Sequence, residues 1–356
     1  MLRKTLGESP REHRYIVTIP GRGYRFAAPA REPVAAIGDR TRAGQLTAKG
    51  RHLLNKRLTE AIGESITWFL QATDEDPEYA PAWVGLADAY ALLSLYGASQ
   101  PRDAFPKSRA AAQNALRFDP SLAEAHNAIG VVELFFQWNW AAAERAFRDA
   151  LALNPDYADA HQRHAVLLIV MRRFDEARAA LARAQALDPL SRIIATFAGY
   201  PAYYERDYAA AIRQFRVALQ MDPNFSMAHF RLGLALAHAG DFDAALAELQ
   251  VSKRLSNDRD VVAALGRVHA MRGDRKDAEA AIAELTERSK DTFVTAYAMA
   301  AIHAALGESG AALDWLERAI DERSYWLIYL NVDPALDALR AEPRFNELRK
   351  RAGLPE

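Results

Sequence analysis

The side chains that could do chemistry in this sequence are a histidine pair, adjacent acids and two aromatic clusters. His161 and His164 stand three positions apart, a spacing that would put two imidazoles on one helical face and let them share a metal ion. His161, however, holds the same place in a recurring pattern as His126 and His229, just ahead of an apolar stripe, and no third ligand is close. These histidines are read as packing residues, so no metal and no cofactor is expected. Asp175-Glu176 offers two carboxylates, but at the polar start of a helix such a pair complements the helix dipole. The absence of cysteine excludes disulfides, thiolate metal sites and thiol nucleophiles. There is no glycine-rich phosphate loop, zinc-protease helix motif or nucleophile elbow. No catalytic constellation emerges, and an enzyme is not expected.

The aromatics are more informative. Trp138-Asn139-Trp140 could form a binding pair, but it falls at a helix start, where aromatics staple a turn, and is read as packing. Tyr200, Tyr203 and Tyr204 share one helix, which Pro201 should kink.

The elements that position these groups repeat. Asp-Pro or Asn-Pro steps place Pro77, Pro120, Pro155, Pro189 and Pro223 at spacings of 43, 35, 34 and 34 residues. Proline disfavours the α conformation in the residue before it, so each step ends one helix and turns the chain into the next. Five and twelve positions ahead of four of these prolines lie small residues, as with Ala150 and Ala143, and a residue eight back separates them: Ala112, Phe147, Leu181 or Phe215. Ten positions after each proline comes another small residue: Ala87, Gly130, Ala165, Gly199 and Gly233. Small residues at fixed places let two antiparallel helices approach closely, with bulky groups filling the space beside them. Beyond Pro223 the period continues in Gly240, Gly273 and Gly307, 33 and 34 residues apart, each where a helix should end, with Asp241 and Asp274 following as N-caps.

This pattern resembles the tetratricopeptide repeat family. The resemblance implies an all-α superhelical solenoid of about eight helical hairpins over residues 43–325, with residues 326–356 as a cap of two short helices broken by Pro343. In such solenoids the first helix of each hairpin lines a concave face. The positions expected there are Asn127, Val131, Phe135, Gln162, Thr196, Tyr200, Tyr203, Phe230, Leu234, Arg267 and Tyr297, an aromatic and apolar surface with scattered amides. Such a groove suits a protein or peptide partner, or a second copy of the chain. The carboxylate clamp of the family for chaperone tails is matched only by Asn127, so chaperone docking is disfavoured.

Residues 1–28 fall outside the period. Tyr15–Ile19 reads as a strand, Pro20-Gly21-Arg22-Gly23 as a turn and Tyr24–Phe26 as a returning strand, a small β-hairpin. The string LRKTLGESPREHRYIVTIPGRGYRF resembles the end of an OmpR-type winged-helix DNA-binding domain, its last recognition-helix turn followed by the wing. The earlier helices of that domain would lie before Met1. The resemblance makes Arg14, Thr18, Arg22, Tyr24 and Arg25 candidate DNA contacts. Phosphate contacts of this kind position a protein without reading sequence. Residues 1–57 carry 13 Lys/Arg against 4 Asp/Glu, while the remainder carries 32 against 42, so a basic end sits on an acidic body. The strings KGRHLLNKR, YAPAWVGLADAYALL and LRAEPRF further resemble bacterial winged-helix regulators with C-terminal tetratricopeptide domains. The expectation is therefore the partner-binding domain of a truncated winged-helix regulator, with DNA binding weak or absent for this chain. The alternative is a stand-alone adaptor. Residues 29–42 form a charged Pro- and Gly-containing linker, no stretch approaches the ~18 uninterrupted apolar residues of a membrane helix, and a cytoplasmic location is expected.

Overall fold

A computed structural model describes residues 16–19, 23–26, 41–256 and 258–354; for the first two segments only the backbone is described. Ile16–Ile19 and Gly23–Phe26 pair antiparallel, with Thr18 opposite Tyr24 and Val17 opposite Arg25. Two strands alone define no DNA-binding domain, and no helix of one accompanies them among the described residues. Arg14 and Arg22 lie outside the described residues, as do the side chains of Thr18, Tyr24 and Arg25.

The body is helical. Its helices are α1 (Arg42–Leu54), α2 (Thr59–Glu75), α3 (Ala80–Leu95), α4 (Pro101–Phe118), α5 (Ala123–Val132) and α6 (Trp140–Leu153). They continue as α7 (Ala158–Val170), α8 (Phe174–Leu187), α9 (Arg192–Phe197), α10 (Tyr200–Tyr204), α11 (Tyr208–Met221), α12 (Ser226–His238) and α13 (Phe242–Ser256). The last repeats hold α14 (Arg259–Arg272), α15 (Arg275–Arg288), α16 (Ala296–Ala305) and α17 (Ser309–Asp321). Packed pairwise, they make eight antiparallel hairpins among the described residues, the fifth having a first helix split into α9 and α10. Pro201 explains that split: it has no N–H to give back to the Phe197 carbonyl, and Gly199 stands at the break.

Small-against-large packing holds each hairpin. A methyl on Gly130 would lie 2.5 Å from the Phe147 ring, on Gly199 2.5 Å from Phe215, and on Gly233 2.7 Å from Leu249. The periodic glycines of the first helices thus make room for the large residues of the second. The repeat histidines also have a common role. His126, His161 and His229 each donate Nε2–H to the carbonyl of the proline six residues earlier, at 2.9, 2.9 and 2.8 Å. Trp83 does the same toward Pro77 at 2.8 Å.

Each hairpin turn places one residue in the left-handed region. Gly97, Gly240, Gly273 and Gly307 do so at φ of 67, 86, 95 and 78°. The other four hairpins use Arg57, Trp138, Arg172 and Arg206 at φ of 57, 56, 59 and 70°. A side chain there meets its own backbone at a cost of roughly 1–2 kcal/mol. Asp241 caps α13 through Ala244 N at 3.2 Å, as expected. Asp274 takes the N-cap position of α15 as expected, but its side chain makes no cap bond, its carboxylate being drawn to Arg272 instead.

After α17 two short helices stand either side of Pro343, as expected: a 3-10 helix, Pro334–Leu339, and an α-helix, α18 (Pro343–Arg351). A further 3-10 turn, Tyr325–Tyr329, precedes them. Pro343 separates the two by opening α18, where its missing N–H costs nothing. The departure is in burial, because the segment is enclosed rather than set on the solenoid end. This segment runs back along the first helices: Ile328, Leu330, Leu336 and Leu339 are fully buried. An apolar run with no amphipathic period has no polar face to present to water, and burial between helices satisfies it.

Candidate functional site

The first helices converge on the C-terminal segment. From the third hairpin, the Phe136 carbonyl accepts from Arg323 at 3.3 Å and Trp140 Nε1 donates to the Gly353 carbonyl at 2.7 Å. From the fifth, Tyr204 stacks on Tyr329 with ring centroids 4.9 Å apart, and Arg206 reaches the Val332 carbonyl at 2.7 Å and Asp337 at 2.6 Å. From the seventh, Asp260 Oδ2 accepts from the Tyr325 hydroxyl at 2.8 Å and Trp326 Nε1 at 2.7 Å. From the eighth, the Tyr297 hydroxyl donates to Asp333 Oδ2 at 2.7 Å. Burial raises the Asp260 carboxyl to about 6, with the neighbouring Asp258 adding to the rise. Burial likewise pushes the phenols of Tyr204, Tyr297 and Tyr325 well above their ordinary range, which keeps them neutral donors.

The residues expected to line an open groove are therefore mostly enclosed. Asn127, Val131, Phe135, Gln162, Thr196, Tyr200, Tyr203, Leu234, Arg267 and Tyr297 are all buried, and Phe230 is half-buried near Trp326. The expectation of an accessible groove is corrected on this point: the face exists, and the chain's own segment occupies its second half. Tyr200, Tyr203, Phe230, Leu234, Arg267 and Tyr297 gather near that segment. Thr196 instead bonds back to the Arg192 carbonyl at 2.8 Å inside its own helix. Among the described residues, Asn127 Oδ1 and Gln162 Nε2 are buried without a hydrogen-bond partner.

Residues missed from the sequence are Arg231, buried among these aromatics, and Asp260, half-buried beside Tyr325 and Trp326. A charged residue inside an apolar repeat stripe was the available signal for Arg231. As for metals, His269, Asp274 and Asp277 lie near one another, but Arg272 already pairs with Asp274. The His161/His164 pairing does not form a site: His161 turns to Pro155 and His164 to Phe147, where burial lowers its pKa to about 4.

Two tetratricopeptide repeat models match residues 138–196 and 198–260, so the chain carries tetratricopeptide repeats. No curated protein matches the sequence. Among solved structures, a monomeric mutant of IFIT1 with Gppp-AAAA is 15% identical, with a TM-score of 0.62 over 87% of this chain and 71% of that one. The APC/C hetero-tetramer Cut9–Hcn1 gives 18% identity and a TM-score of 0.56 over 87% of this chain and 55% of that one. At these identities the likeness is one of fold: an all-helical tetratricopeptide-type solenoid. Such repeats imply a role in protein–protein interaction or scaffolding. No helix among the described residues is long and apolar enough to cross a membrane.

Proposed function

We propose that this chain is a protein-interaction scaffold whose inner face receives an extended, aromatic-rich segment, and that it is the partner-binding portion of a winged-helix regulator. The observation that carries the first part is the seating of Tyr325–Leu339. That segment is irregular and is held by ring stacking, by carboxylate–hydroxyl bonds and by Arg206 on a backbone carbonyl. These are the interactions with which a groove reads a peptide. The chain's own segment is thus a resident ligand with which a partner competes. The regulator context is supported by the wing-like string at residues 2–26 and the basic balance around it, and the salt dependence of duplex-DNA binding tests it.

The inner-face reading is tested in trans. A labelled peptide of residues 324–341 is titrated into the full chain carrying Trp326→Ala and Tyr329→Ala. It should bind that variant saturably and the wild type far more weakly, because a tethered competitor acts at an effective concentration of roughly millimolar order. A variant that keeps its helical circular dichroism yet binds no peptide would show the inner face to be core rather than a binding surface.

A further inference from the structure

Between α12, α14, α16 and the C-terminal segment lies a half-open cavity of about 50 Å³, walled by Leu234, Ala263, Ala264, Ala298, Ala301 and the rings of Tyr203, Phe230 and Trp326. Two guanidiniums line it. Arg231 is 4% exposed and Arg267 5% exposed. Arginine stays charged and offers five N–H donors, so a buried one calls for acceptors. Their supply is poor. Arg231 reaches only phenol oxygens, Tyr204 through Nη1 at 3.5 Å and Tyr200 beside it, Arg267 Nη2 reaches the Tyr203 hydroxyl at 3.5 Å, and among the described residues the Nε of each has no acceptor. Among the described residues no carboxylate lies within 4.0 Å of either. Rings flank Arg231, with Tyr200, Trp326 and Phe230 centroids 4.2, 5.0 and 5.4 Å away, but a π face cannot accept the in-plane N–H bonds of the fork.

The two acids of the lining do not fill this need. Asp260 Oδ2 holds Tyr325 and Trp326, and Asp333 holds Tyr297 through one oxygen and Ala335 N through the other. The cavity therefore has donors in surplus inside an aromatic wall. A few tens of Å³ suffices for more than one water-sized centre, which suits a compact group and not a nucleotide.

We infer that this cavity is a binding site for a compact oxyanion, a carboxylate or a phosphate, held between Arg231 and Arg267. Its planar forks match such oxygens, and lysine would not replace them. The inference does not rest on the peptide-receiving reading, since the guanidiniums need an acceptor whatever the inner face receives.

The test measures thermal unfolding of the full chain with sodium phosphate, with sodium benzoate and with sodium chloride at matched ionic strength. Phosphate, benzoate or both should raise the wild-type midpoint above chloride with an apparent Kd on the order of 1 mM. Arg231→Met and Arg267→Met should each weaken that binding at least tenfold. Phosphate alone would mark a tetrahedral site, and benzoate alone a carboxylate site with an aromatic body; either supports the assignment. No shift beyond chloride in the wild type overturns it, and so does a shift that both variants retain, since the anion then sits elsewhere. If a methionine variant does not fold, Arg231→Lys and Arg267→Lys replace it: they keep the charge, lose the fork and should lose the binding.

Discussion

Arg172 and Arg206 occupy the same turn position in successive hairpins, both left-handed, yet glycine should act on them in opposite directions. Arg172 is exposed at φ 59°, and no ion pair or hydrogen bond joins its side chain to another described residue. Glycine there removes roughly 1–2 kcal/mol of backbone strain and adds ~0.5–1 kcal/mol of unfolded-state entropy. Arg172→Gly should therefore stabilise by about 0.5–1 kcal/mol. Arg206, at φ 70°, would gain the same relief but lose its bonds to the Val332 carbonyl and Asp337. A charge-assisted bond to a part-buried carbonyl contributes roughly 1.5–3 kcal/mol. The exposed ion pair adds at most about 1 kcal/mol. Arg206→Gly should thus destabilise by about 1–2 kcal/mol, leaving the two variants ~2 kcal/mol apart. Urea unfolding at equilibrium gives both values, and limited proteolysis shows whether the C-terminal segment loosens in Arg206→Gly alone. If the two variants shift in the same direction by similar amounts, Arg206 does not hold the segment and the strain argument fails with it.

Two further outcomes follow from the site. Glu322 accepts from Ala296 N at 2.7 Å and burial raises its carboxyl to about 7. Because the folded form holds its proton more tightly than the unfolded chain, this group's stabilisation is full below about pH 4.5 and is lost as pH rises through 7. Glu322→Gln keeps the acceptor and cannot ionise, so its urea midpoint should match the wild type near pH 4.5. Its unfolding free energy should exceed that of the wild type at pH 8 by up to about 3 kcal/mol, and an advantage that does not grow with pH would rule the burial argument out. At the other end of the chain, duplex-DNA binding should be weak and steeply salt-dependent. Phosphate contacts from Arg14, Arg22 and Arg25 imply a log–log slope of about −2 to −3, a loss on the order of tenfold to fiftyfold between ~50 and ~200 mM salt. Binding absent even at low salt, or unchanged when the three arginines become alanine, leaves a stand-alone adaptor.

The hairpins were legible because their packing is local and periodic. Gly130 faces Phe147 within one hairpin, and His161 reaches a proline six residues away, so fixed spacings carry both. Gly240, Gly273 and Gly307 betrayed their turns because glycine is the residue that adopts positive φ without strain. Arg57, Arg172 and Arg206 do the same work invisibly, since nothing in an arginine announces a left-handed backbone. The inner face was legible as a set of positions and not as an environment. What covers it comes from residues such as Asp333 and Asp337, which meet Tyr297 and Arg206 across 36 and 131 positions, and no local pattern records such a meeting. One signal was available: Tyr325–Val332 is too apolar and too aperiodic to be the polar cap of a solenoid.

That segment changes what kind of solenoid this is. In a linear repeat array each hairpin touches only its neighbours, and stability is close to a sum of local terms. Here Arg323, Gly353 and Val332 tie the chain's last described residues to Phe136, Trp140 and Arg206, across 187, 213 and 126 positions. Contacts of that span couple the third and fifth hairpins to the C-terminal segment, so these regions cannot loosen independently of it. A protein partner that takes the inner face must therefore displace the segment and release those couplings together. A compact anion between Arg231 and Arg267 would oppose that release, because Trp326 and Asp333 of the segment form part of the same cavity wall. On this reasoning the anion and the partner are competitors through the segment, although they touch different groups.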